Sequence, residues 1–257
     1  MENKIIKQAG CIVKNTFLLI CFGASMQVEA QTIKTPTPET IQKRYQGKWP
    51  TTLTYLVTIL TKRYGRESIT NEYHAYLSAT LSRVDKGSPD DGNAAITHGD
   101  STFLFKKFKK AGFYNTSNYV SDYMSRQIYF ANIQQVKKAF RESHIDLTQS
   151  CRGTWQGREV YVIGASTTDD TYHTQVWYDA KHLYPVRFID QLSGSSRDTQ
   201  YQMKLYGEIW FPVSATEYIN KKPTAEISYT EVSFGKSLDP DIFNLENFGA
   251  VHWYQPH

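Results

Sequence analysis

Ser233 and Lys236 stand three residues apart in the stretch SFGK, the spacing at which penicillin-recognising enzymes set a serine nucleophile beside its lysine. That chemistry needs the serine to open a helix, so that both side chains share one face. Here the stretch ends an alternating apolar run and contains Gly235, and neither Lys-Thr-Gly nor Ser-Asp-Asn accompanies it, so a strand end is expected. No Gly-x-Ser-x-Gly elbow houses an α/β-hydrolase serine. Asp169 and Asp170 lie four and three residues before His173, a carboxylate–imidazole spacing suited to proton transfer, but they fall among turn residues and read as a solvated loop. His173 and His182 can approach across the ends of a hairpin, yet two histidines without a third ligand do not define a zinc site. The acidic residues of DPDIFNLE (239–246) have the wrong spacing for a calcium loop, and its glycine is missing. NTS (115–117) fits a glycan acceptor. The expectation is therefore a chain with no catalytic group, metal or cofactor. A small hydrolase whose Asp and His groups meet only in the fold stands as an alternative.

The remaining charged residue in an apolar setting is Arg187, in HTQVWYDAKHLYPVRFID (173–190). Gln175 and Trp177 alternate with Val176 and Tyr178. After the turn residues 179–182, Tyr184, Val186 and Phe188 share one face and Pro185, Arg187 and Ile189 the other. The stretch is a β-hairpin. Arg187 is then either an outer-face strand residue or a polar group aimed into an apolar concavity, where it would hold helix carbonyls or a ligand head group.

The elements that position such residues are mostly strands. TPTPETIQKRYQGKW (35–49) opens the folded part as a helix, capped by Thr37 with Pro38 in its first turn. TLTYLVTIL (52–60) places Leu53, Tyr55, Val57 and Ile59 on one face, with Thr54 and Thr58 on the other. NEYHAYLSATLSRV (71–84) reads as one strand, DKGSPDDGN (85–93) as a loop, and STFLFKKF (101–108) as a strand with a solvated basic end. Ile133, Val136, Lys137 and Phe140 recur at helical spacing, with a further helical turn over 120–124. From residue 153 to 234, alternating segments are separated by short turn signals at intervals of about 8 to 12 residues, as in antiparallel sheets. A sheet of ten or so strands must curl, and helices with one apolar side cover its concave face. The fold class is α+β: a single curled antiparallel sheet with a few helices.

Composition agrees. Aromatic residues make up 14% of the 257, and 18 are Tyr, a type favoured in strands and at boundaries between apolar surface and water. The net charge of +4 is weak, and FKKFKK (105–110) reads as a solvated strand end, so no nucleic-acid partner is expected. Lys4, Lys7 and Lys14 precede the apolar run TFLLICFGA (16–24), which is too short to span a bilayer, and Val28-Glu29-Ala30 follows. Residues 1–30 are expected to be a cleaved secretory signal, leaving one domain over 31–257 in the periplasm. A lipid-anchored form through Cys21 is the alternative, although bulky Ile20 precedes that cysteine. Only Cys151 then remains, so no internal disulfide forms.

VWYDAKHLYPVRFID (176–190), GEIWFPVSATEYIN (207–220) and EVSFGKSLDPDIFN (231–244) resemble the C-terminal half of LolA-like proteins, the periplasmic carriers of outer-membrane lipoprotein sorting. The matching positions are Trp177 and Asp179, Leu183 through Arg187, and Leu238 through Phe243. AYLSATLSRVD and GNAAITHGDSTFLF, within residues 75–105, resemble the N-terminal strands of that family. The resemblance implies a half-barrel of about eleven antiparallel strands, curled as long sheets must be, with helices as a lid over an apolar cavity. It implies a non-catalytic carrier or sensor that holds a lipid or lipoprotein acyl chain, served by envelope loading and receiving proteins and contacting the membrane transiently. Tyr55, Val57, Leu77, Phe103, Phe105, Trp177, Arg187 and Ile189 are the expected cavity lining. A protein-interaction module of the cell envelope is the alternative if the sheet presents an exposed apolar patch in place of a cavity.

Overall fold

The structure is a computed structural model that describes residues 36–48, 52–63, 65–78, 80–115, 132–192, 194–248 and 254. They belong to a compact unit spanning Thr35–His257. The expected secretory signal, the helical turn over 120–124 and most of the NTS sequence lie outside the described residues.

Thirteen strands form a single antiparallel sheet. They are β1 (Leu53–Arg63), β2 (Arg66–Ser78), β3 (Leu81–Lys86), β4 (Ala94–His98), β5 (Ser101–Lys106), β6 (Lys109–Asn115), β7 (Ser150–Trp155), β8 (Arg158–Ile163), β9 (Gln175–Asp179), β10 (Pro185–Leu192), β11 (Ser195–Tyr206), β12 (Ile209–Ile219) and β13 (Lys222–Phe234). Their order is β6-β5-β4-β3-β2-β1-β13-β12-β11-β10-β9-β8-β7. Two meanders therefore meet where β1 pairs with β13, through partners such as Val57–Tyr229 and Ile59–Ile227. The sheet is not closed, and β6 and β7 are its edges. An open sheet of this length curls because each strand pair adds right-handed twist.

The count exceeds the expected eleven or so because β3, β4 and β6 are strands of their own. The segment read as one strand over 71–84 is two, β2 and β3, which pair with each other through Tyr76–Ser82 and Ala75–Arg83. FKKFKKAGFY is also a hairpin, in which Lys106 pairs with Lys109 around a two-residue turn at Lys107 and Phe108. Both turn residues have positive φ, 50° and 62°. Such turns favour Asn-Gly or Gly-Gly, so a Lys-Phe turn carries no sequence signal.

Helix α1 (Pro38–Tyr45) starts as expected, with the Thr37 hydroxyl accepting from the Thr40 N–H. Helix α2 (Ile133–Glu142) opens with a reciprocal cap, in which the Asn132 side chain accepts from Gln134 and Gln135 N–H and the Gln135 side chain accepts from Asn132 N–H. Ile41 and Tyr45 of α1 and Val136, Ala139 and Phe140 of α2 join Ile163, Val176, Tyr178, Phe188 and Ile209 of the sheet in one buried cluster. Both helices thus lie on the same face, over β8–β10 and the start of β12. Glu39 of α1 and Lys137 of α2 form an ion pair of 2.5 Å. The Tyr45 hydroxyl donates to the His182 carbonyl, tying α1 to the β9–β10 turn.

On the opposite face of the other half, the chain after β13 returns across β2 and β3. Asp239 caps a short 3-10 turn (Pro240–Phe243) that seats Ile242 and Phe243 on Ala75. Beneath it lies an ion pair, Arg83 with Asp85, only 2% and 1% exposed. Arg83 also donates to the Ile242 carbonyl and stacks on Phe248, whose ring centroid is 4.7 Å from the guanidinium carbon.

Candidate functional site

Residues directly opposite one another in an antiparallel pair point to the same side. Phe188, which touches the helix-bearing cluster, faces Thr199 on β11, and two residues on Tyr201 faces Ala215 of β12. Ala215 faces Ile227 of β13, and Ile227 faces Ile59 of β1. Tyr55 and Val57 follow on β1, opposite His74 and Glu72 of β2. The helix-bearing face therefore continues past the helices as an apolar and aromatic surface. Leu53, Tyr55, Val57, Tyr76 and Phe211 form its buried part. Ile59, Tyr206, Ile227, Tyr229 and Val232 pack against it only half-buried. Tyr55 stacks on His74 at 4.6 Å between ring centroids and meets Phe211 at 5.0 Å. His74 approaches Glu72 at 3.1 Å, and on the same face Arg197 donates to both carboxylate oxygens of Asp190, at 3.1 and 2.5 Å, so polar pairs border this surface.

The eight residues expected to line a cavity are divided between the two faces. Tyr55 and Val57 lie on the helix-bearing face. Trp177, Arg187 and Ile189 lie on the opposite one, since Trp177 pairs with Arg187 and Ile189 with Gln175. Phe103 also points away from the helices, through the row Phe103–Ile96–Arg83–Ala75. So does Phe105, through Ala94 and Asp85, and Phe105 meets Phe248 at 4.1 Å. Leu77 packs against Ala75, Ile242 and Phe243. The structure thus brings Tyr55 and Val57 together with residues that the sequence reading did not single out, chiefly Phe211, Ile227 and Tyr229. What unites those five is strand register, which no local pattern carries.

Of the two readings open for Arg187, the structure has the one that keeps it on the face away from the helices. A bulge between Pro185 and Arg187 breaks the alternation of β10. Tyr184 and Val186 join Trp177 in the cluster on the face away from the helices, while Phe188 joins the helix-bearing one. Arg187 therefore does not reach the helix carbonyls. Its Nε and one terminal nitrogen donate to the two carboxylate oxygens of Asp198, at 2.9 and 2.7 Å. Its guanidinium lies 4.6 Å from the Trp177 ring centroid. Trp177 in turn donates from its indole to Gln175 at 2.8 Å, and the Gln175 amide donates to backbone carbonyls of Asp170 and His173. One polar chain thus runs from β11 to the loop 164–174.

In that loop, His173 and Asp170 approach at 2.7 Å, but His173 is 71% exposed. Burial opposes ionisation of Asp170, and the Tyr172 N–H and His173 outweigh it, holding its carboxyl below the usual range. His182 follows β9 and lies against Trp210, at 5.2 Å, whereas His173 precedes that strand. The two histidines therefore sit at opposite ends of β9 and do not approach each other. Among the described residues no group of three or more His, Cys, Asp or Glu side chains is placed to hold a metal ion. Ser233 lies at the end of β13 and Lys236 just beyond it, and the Lys236 carbonyl accepts from Thr52. Cys151 is free, and burial raises its thiol pKa. Among the described residues no helix is long and apolar enough to cross a membrane.

No protein-family model matches the sequence, and comparison with curated proteins finds no relative. Solved structures do match. A LolA superfamily protein from Nitrosomonas europaea is 14% identical, with a TM-score of 0.54 over 81% of this chain and 98% of its own. A domain named for outer membrane lipoprotein sorting, from Vibrio parahaemolyticus, is 14% identical, with a TM-score of 0.52 over 82% and 96%. A DUF1329 family protein from Desulfovibrio piger is 10% identical, with a TM-score of 0.54 over 82% and 95%. At these identities the likeness is one of fold, and it is the fold that residues 176–190, 207–220 and 231–244 resemble.

Proposed function

We propose that this chain is a non-catalytic carrier or sensor of the bacterial cell envelope that binds an apolar acyl chain, of a lipid or a lipoprotein, on the helix-bearing face of its sheet. The observation that carries the reading is the continuity of that face. Helices α1 and α2 cover one part, and beyond them Ile59, Ile227 and Tyr229 remain half-buried beside Tyr55, Val57 and Phe211. Each methylene of an acyl chain buried there contributes about 0.8 kcal/mol, so affinity needs no hydrogen-bonded head group. The lipoprotein-sorting name of one fold neighbour supports the choice of ligand class. Residues 1–30 have the pattern of a secretory signal and support a periplasmic location. Loading and receiving proteins of the envelope are the corresponding partners.

The test is recovery of the protein from the envelope fraction, extraction, and mass spectrometry for bound lipid, with displacement of a fluorescent fatty acid as the second readout. Stoichiometric lipid and saturable displacement support the reading. A protein that is empty and indifferent to the probe contradicts it.

A second reading, a protein-interaction module, is favoured by β6, the last strand in the sheet order, where Phe113 and Tyr114 are exposed.

A further inference from the structure

A cleft of about 360 Å³ opens on the sheet face away from the helices, within the range of small-molecule sites. Its walls come from four elements. Thr171 and Tyr172 belong to the loop 164–174, Arg187 and Ser196 to β10 and β11, and Asn220 and Lys221 to the β12–β13 turn. Fully buried Ile189 and the carboxylate of Asp198 complete it. The loop is fixed in place, because the Thr171 carbonyl accepts from Gln191 at 2.9 Å and from the Ser196 hydroxyl at 3.5 Å.

The hydrogen-bonding inventory of the cleft is one-sided. Its carboxylate and side-chain amide acceptors are engaged. Both oxygens of Asp198 are taken by Arg187, and one also accepts from Gln200 at 3.1 Å. The Asn220 side-chain oxygen accepts from the Ser196 N–H at 3.1 Å. Its donors are not. Arg187 gives Asp198 two of its five N–H groups. Fixing the Asn220 oxygen on Ser196 leaves its amide N–H groups without a partner among the described residues. Lys221 is exposed and has no ion pair among the described residues. Asp198 pairs with Arg187, and Lys221 is the other charged residue among those that line the cleft.

We propose that this cleft binds a small organic oxyanion, a carboxylate or phosphate ester, through Lys221, the Asn220 amide and the free edge of Arg187. The Tyr172 ring flanks the organic part. The phosphate source is either a soluble ester or a lipid head group. The site lies on the other side of the sheet from the acyl-chain surface and is independent of it.

The test is titration of the purified protein with succinate, with glycerol 3-phosphate, and with phosphatidylglycerol vesicles against phosphatidylcholine vesicles. The readout is the two-dimensional NMR signals of the Trp177 indole N–H and the Arg187 Nε–H, with co-sedimentation for the vesicles. Lys221→Gly removes the charge at a position where φ is +65°, which glycine adopts freely. Asn220→Asp keeps the oxygen that Ser196 needs and replaces the free amide with a repelling oxygen. Saturable shifts with a soluble anion, weakened about tenfold or more in each variant, support the proposal and a soluble source. Binding to phosphatidylglycerol vesicles alone, lost in both variants, supports it with a lipid source. No saturable shift with any probe overturns it. So does binding that Asn220→Asp leaves unchanged, since that is the behaviour of a diffuse surface charge.

Discussion

Arg187 of β10 reaches diagonally across to Asp198 of β11, which is opposite Ile189, and the two share two parallel hydrogen bonds, with only 13% and 17% of their side chains exposed. A guanidinium held in this way and laid on Trp177 cannot swing to the helices, so it is a fixed part of the sheet. Removing one partner leaves a charge in a poorly solvated place. Arg187→Leu is expected to lower stability by about 3 kcal/mol, and the double change Arg187→Met with Asp198→Leu to recover most of that loss. Urea unfolding of the three proteins measures both. A single variant as stable as the parent contradicts the assignment.

Phe140 anchors α2 to the sheet and is 1% exposed. Phe140→Ala should cost about 3 to 5 kcal/mol. The loss should appear with faster amide exchange in α2 than in β11, because the helix has few other buried anchors: Val136 and Ala139. Uniform acceleration across the sheet would mean that α2 and the sheet unfold as one unit.

Gly164 begins the loop that walls the anion cleft, with φ at +105°. A Cβ there would lie 2.4 Å from the Thr174 carbonyl oxygen. Gly164→Ala is therefore expected to destabilise by about 2 kcal/mol or more and to shift the loop. Thermal unfolding and the Tyr172 amide signal report the two effects. An unchanged loop signal would contradict the close approach.

The Glu39–Lys137 pair joins the two helices and is pH-dependent. The hydrogen bond from Lys137 is the main cause that lowers the Glu39 carboxyl below its ordinary value of 4.5. Its contribution is therefore complete above pH 4.5 and is lost as pH falls through the lowered folded value. The pair is partly exposed and screened, so Glu39→Gln should cost only a few tenths of a kcal/mol near neutral pH and less near pH 3. Chemical unfolding at the two pH values checks this. An equal cost at both would trace the effect to packing.

Much of this architecture was legible in the chain. Thr37-Pro38 marked the start of α1, the three- and four-residue spacing from Ile133 to Phe140 marked α2, and alternation marked β9 to β13. Faces were legible only where alternation is unbroken. At Pro185–Arg187 a bulge moved Val186 to the side opposite Phe188, and nothing in the residue types announced it. The anion cleft was illegible for a further reason. Asp198, Asn220 and Lys221 meet Arg187 only through the pairing of β10 to β13, and register is set by the whole sheet.

Ile227 lies half-buried at the centre of the apolar helix-bearing face, opposite both Ile59 and Ala215. A carboxylate there opposes acyl-chain burial without touching the anion cleft. Displacement of a fluorescent fatty acid, compared between the parent protein and Ile227→Asp, is the most direct test of the acyl-chain site. Saturable binding in the parent, weakened about tenfold or more by the substitution, is the predicted result. Equal binding by the parent and Ile227→Asp, or none by either, would contradict it.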